Sequence, residues 1–170
     1  MGYQLQVSLL DWERFQRQWR ESQSLQDAIE GSERIKLYDD NASTGGWFVE
    51  ASRAAREALS PPAADALAAI AAGLFPDWTP GGKPTRDLED DYAYGEGGFE
   101  QVFSPESVRR LAGIFAVLPD AELEKAVLGR PRPGLSGEAE QQAFLNYLRQ
   151  WRDAFGRAAR ESRGLATRLT

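Results

Sequence analysis

The stretch "EAEQQAFLNYLRQWRDAFGRAARESRGLATRL", Glu138 to Leu169, decides the fold. Phe144, Leu148, Trp151, Phe155 and Ala159 recur three or four residues apart, a spacing that gathers them on one face of an α-helix. The pattern predicts a helix from Glu138 to Arg163. Gly164 is expected to end it, because glycine tolerates the backbone twist at a helix terminus. "LATRL" then reads as a short closing strand. Such a strand needs a sheet to receive it, and the opening of the chain supplies one. "YQLQVSL" (Tyr3 to Leu9) alternates apolar and polar residues with the period of a half-buried strand. Helices between two distant strands predict an α+β protein. We expect a helix-rich single domain over residues 1–170. Its small sheet would include an N-terminal strand and a short C-terminal strand after the long helix.

The intervening segments follow local signals. Ser8 is expected to cap the first helix, with Asp11 at the third helical position. Trp12, Phe15 and Trp19 fall on its core side. A second helix near Ser24 to Glu30 should stop at Gly31. "RIKLY" (Arg34 to Tyr38) reads as a strand. "DDNASTGG" then reads as a polar turn between two strands, which makes "WFVE" (Trp47 to Glu50) extended. Residues 50–75 are alanine-rich and helical, divided at Ser60-Pro61, with Leu67, Ile70, Ala71 and Leu74 inward. Ser104, Pro105 and Glu106 form a cap, a first-turn proline and a first-turn acid. They open a helix whose Val108, Leu111, Ala112 and Phe115 face the core. A short helix, Ala121 to Leu128, stops at Gly129.

Composition excludes whole classes of chemistry. The 170 residues contain no cysteine and no histidine. Disulfides, thiolate nucleophiles, Ser-His pairs and Cys/His zinc sites are therefore excluded. Only three lysines are present: Lys36, Lys83 and Lys125. No apolar run reaches the roughly 20 residues of a membrane span. No secretory leader is recognisable, so a cytoplasmic location is expected. The net charge of −6 argues against nucleic acid as a partner.

That charge is unevenly placed. Residues 87–100 carry six carboxylates and no base, whereas residues 130–170 carry eight arginines against four acids. Such a chain either pairs its two segments, leaves them solvated, or presents a bipolar surface to a charged partner. The acidic stretch "DLEDDYAYGEGGFE" lies within the long connection 76–102, and long connections in compact domains are often functional. Its tyrosines beside glycines suit protein recognition, because tyrosine adds contact area at low entropic cost. Asp90, Asp91, Tyr92, Tyr94 and Glu96 are the candidate binding residues.

Two other motifs fail on inspection. "GGKPT" (Gly81 to Thr85) lacks a phosphate loop's first glycine, because Asp77 stands there. Pro84 occupies its Ser/Thr position. Asp39, Asn41, Ser43 and Glu50 match four positions of a calcium loop, but Thr44 stands where the turn glycine is needed.

"AYGEGGFEQVFSPESVRRLAGIF" (Ala93 to Phe115) resembles a segment of the YfbM-like family of bacterial proteins. Tyr94-Gly95, Phe103, Ser104, Pro105, Glu106 and Val108 occupy matching places. The ending "YLRQWRDAFGRAARESRGLATRL" is similar to that family's last helix, glycine and strand. Glu96, Gly97 and Gly98 replace the family's Pro-Ala-Arg. The resemblance implies an α+β fold and no activity.

These readings lead to an expected function: a small acidic binding module without catalytic activity, of immunity or regulatory type. It would need no cofactor, and its partner would be a basic protein. The alternative is a carboxylate- or divalent-metal-dependent enzyme acting through residues 87–100. Adjacent carboxylates on one glycine-rich loop favour the first reading, since acid–base pairs need different environments.

Overall fold

The computed structural model describes residues 5–38, 45–76, 92–94 and 100–169. The elements run β1 (Leu5–Leu10), α1 (Trp12–Ser22), α2 (Leu25–Ile29), β2 (Glu33–Tyr38), α3 (Gly45–Arg56) and α4 (Pro61–Leu74). They continue with β3 (Tyr92–Tyr94), β4 (Glu100–Phe103), α5 (Pro105–Val117), α6 (Asp120–Val127), α7 (Glu138–Arg160) and β5 (Gly164–Leu169). The five strands form one sheet in the order β2-β1-β5-β4-β3. Each neighbouring pair is antiparallel. The α+β reading holds, with the first strand and the strand after the long helix side by side.

Strand periodicity assigns each residue to a layer. Leu9 pairs with Leu165, and Leu165 with Phe103, so these three form a row across the sheet. Together with Leu5 and Val7 they face the larger core, built with α3, α4, α5, α6 and α7. Leu10, Val102 and Ala166 point the other way, onto Phe15, Ala28 and Ile29 of α1 and α2. Helices thus cover both faces, which is why β1 is buried along most of its length.

In α7, Phe144, Leu148, Trp151 and Phe155 are buried as their spacing requires, and Ala159 packs at the edge of the core. Phe155 meets Phe103 at 5.3 Å and Phe115 at 5.8 Å, locking the helix onto the sheet and α5. Ser104 caps α5 by accepting from the Ser107 N–H, as expected.

Three local expectations are corrected. Asp11, not Ser8, caps α1 through the Arg14 N–H, because β1 continues to Leu10. Trp47 to Glu50 are helical, within α3; Phe48 and Val49 face the core as part of a helical face. The end of α7 is formed by Ser162 at φ 53°, with the Arg163 N–H donating to the Ala158 carbonyl at 2.9 Å. Gly164 instead opens β5. A Cβ there would lie 2.8 Å from the Phe103 carbonyl oxygen and 2.8 Å from Trp12 Cε3.

A candidate polar groove at the end of the sheet

The candidate residues chosen from sequence fall in two places. Tyr92 and Tyr94 belong to β3, opposite Val102 and Glu100 in the ladder to β4. Asp90, Asp91 and Glu96 lie outside the described residues, as do the "GGKPT" stretch and Asp39, Asn41 and Ser43. Among the described residues, no group of three or more carboxylates gathers to hold a metal ion.

Sheet register brings a different set of polar residues together. Leu10 pairs with Gly164, so the end of β1 lies beside the start of β5. The N-terminus of α1 therefore meets the C-terminal end of α7. Leu9 pairs with Glu33, which brings in the start of β2. Arg163 spans the junction. Its Nη2 donates to the Leu9 carbonyl at 3.1 Å, and its Nη1 lies 3.4 Å from Glu33 Oε2. Arg157 Nη2 donates to both Glu33 oxygens, at 2.7 and 2.8 Å, and Arg157 Nε donates to Glu161 at 3.0 Å. The Arg157 hydrogen bond, with the charges of Arg157 and Arg163, holds the Glu33 carboxyl below the usual carboxylate range. Arg157 is raised in turn, chiefly by its bond to Glu33.

On the other side, Arg14 Nη2 donates to the Glu30 carbonyl at 3.1 Å. Gly31 makes room for it: at φ +76°, its missing Cβ would stand 3.0 Å from that same nitrogen.

Two neighbouring spaces result. An open groove of about 500 Å³ runs along Asp11, Trp12, Glu13, Glu161, Ser162 and Arg163. A recess of about 50 Å³ shares Asp11 and Arg163 with it and adds Arg14, Gln18, Gly31 and Ser32. Phe15 forms part of the recess wall and stacks on Trp12 at 5.2 Å. Gln18 Oε1 is shielded from solvent and accepts no hydrogen bond among the described residues. Fixed guanidiniums and an amide can recognise a polar group by hydrogen bonding. The most constrained carboxylate, Glu33, stays ionised near neutral pH and is poorly suited to proton transfer there.

None of Arg14, Gln18, Glu33 and Arg163 stood out in the sequence. The only local markers were Asp11 and Gly31, both readable as helix-end residues.

Compared with protein-family models, curated proteins and solved structures, the chain matches none.

Proposed function

We propose that this chain is a non-catalytic binding module of the YfbM-like kind. It would act in the cytoplasm as an immunity-type or regulatory partner of a basic protein. The supporting observation is the fate of the arginines near the C-terminal end. Arg149 donates to Glu124, Arg152 to Asp120, and Arg157 to Glu33 and Glu161; Arg163 adds a second contact to Glu33. These cations are balanced within the described fold, by α6, β2 and the end of α7. They therefore do little to offset the carboxylates of residues 87–100, and the net charge of −6 is what an approaching partner meets.

The test is affinity capture of the tagged protein in its own host, at low and moderate salt. The expected result is one stoichiometric basic protein, lost as salt screens the attraction. Exchange of Asp90, Asp91 and Glu96 for Asn, Asn and Gln should weaken the complex. Unchanged affinity in that variant removes the acidic stretch from the site. Recovery of the protein without a partner removes the reading itself.

A further inference from the structure

We propose that the recess lined by Arg14 and Arg163 is a binding site for a single carboxylate group. Accessibility is the first argument. Among its lining residues, Phe15 and Ala28 are buried and Gln18 Oε1 is shielded. The charged side chains that an entering molecule meets are Asp11 and Arg14, both exposed, and Arg163, half-buried. Ser32, also half-buried, adds a hydroxyl.

Charge is the second argument. Two guanidiniums face one carboxylate, so the lining holds a surplus of one positive charge. Asp11 is committed to the helix end, where its Oδ1 accepts from the Arg14 backbone N–H. Arg163 gives Nη2 to the Leu9 carbonyl and keeps Nη1 3.4 Å from Glu33. Arg14 is less occupied. Its guanidinium donates to the Glu30 carbonyl and forms no ion pair among the described residues. A guanidinium carries five N–H donors, so most of those of Arg14 remain for a ligand.

Size and valence select the ligand. The recess offers about 50 Å³, whereas a single water needs only about 10–15 Å³. A planar head of three heavy atoms fits, and a carboxylate matches the fork of a guanidinium. One negative charge balances the surplus. A dianionic phosphate would bring a second one beside Asp11. A carboxamide forgoes the charge, and an ammonium meets two like charges. Arg14 is already positioned by the Glu30 carbonyl and by the space at Gly31, and Arg163 by Leu9 and Glu33. Little ordering remains to be done on binding. The carboxylate can belong to a free small acid or to the end of a polypeptide; the recess recognises the group they share. The site does not rest on the binding-module reading above.

The test is NMR titration of the ¹⁵N-labelled full chain at neutral pH and constant ionic strength. The Arg14 and Arg163 Nε–H signals are followed with acetate, acetamide, phosphate and acetyl-triglycine. Acetate should give saturable shifts at both groups, and acetamide and phosphate should each bind at least about fivefold more weakly. Arg14→Gln should keep the wild-type melting temperature and lose about tenfold in acetate affinity. Arg17→Gln, on the same helix but outside the recess, should bind acetate as the wild type does. Tighter binding of acetyl-triglycine than of acetate would assign the group to a chain end, and equal or weaker binding to a free acid. Absence of saturable shifts, an equal response to acetamide or phosphate, full binding by Arg14→Gln, or an equal loss in Arg17→Gln would each overturn the site. Should Arg14→Gln fold poorly, the wild-type ranking of acetate over acetamide and phosphate decides alone.

Discussion

Replacing Gly164 with alanine tests the packing between the two layers most directly. The new methyl would meet the Phe103 carbonyl oxygen and Trp12 Cε3, each at 2.8 Å, and Trp12 Cζ3 at 3.3 Å. The carbonyl belongs to β4, which is paired to β5 at Phe103↔Leu165, so it cannot retreat without disturbing the ladder. The indole is held by its stack on Phe15. Overpacking of this kind costs roughly 1–3 kcal/mol. Gly164 does not need a positive φ, so the stiffer unfolded chain returns about 0.4–1 kcal/mol. Taking the middle of each range, the net loss is about 1.3 kcal/mol, which for a chain of this length lowers the melting temperature by roughly 3–5 °C. Calorimetry and urea unfolding should show a lower midpoint with an unchanged urea slope. In a Trp12→Leu background the penalty should shrink, because one of the two obstructing groups is gone. A Gly164→Ala protein as stable as wild type refutes the argument, as does an undiminished penalty in the Trp12→Leu background.

Two further outcomes are expected. Glu33 has its carboxyl lowered from 4.5, mainly by the Arg157 hydrogen bond, so its contribution to stability is present above that value. It is lost as pH falls toward the lowered folded value, and Glu33→Gln should flatten that part of the melting-temperature profile and converge with wild type in acid. The Ser52 hydroxyl is buried without a hydrogen bond among the described residues. Ser52→Ala should therefore leave the melting temperature unchanged or raise it, by up to about 1 kcal/mol of stability; a clear loss would show that the hydroxyl has a partner.

Legibility followed the length of each pattern. In α7 the apolar stripe from Phe144 to Ala159 repeats over about four turns, so helix and buried face could both be read from it. Trp47 to Glu50 could not be read that way. An aromatic pair followed by valine looks extended over four residues, and Gly45-Gly46 obscured the helix start. Only packing settles it: Phe48 lies against Phe75, Phe144 and Tyr147 at 5.3 to 5.5 Å. The first helix start was displaced because Ser8 lies within β1, where its neighbours Leu9 and Leu10 are both buried. The groove was hidden for a different reason. Arg14 and Arg163 line one recess only because β1 and β5 are neighbours, and spacing along one chain does not reveal which strands pair. The acidic stretch was conspicuous as composition, yet composition carries no register.

The position of β5 has a consequence for how the chain reaches this state. It is the last strand in sequence but occupies the middle of the sheet, with β1 on one side and β4 on the other. Before it arrives, β2-β1 and β4-β3 are two separate ribbons with facing edges exposed. A nascent chain released only as far as α7 would carry the aromatic face of that helix with no completed sheet beneath it. Completion of the sheet thus waits until residues 164–169 have been made, and until then the open strand edges can pair with other copies of the chain. Fusions or truncations that obstruct residues 164–169 should therefore be felt first as aggregation during expression, before any lowering of the finished protein's melting point.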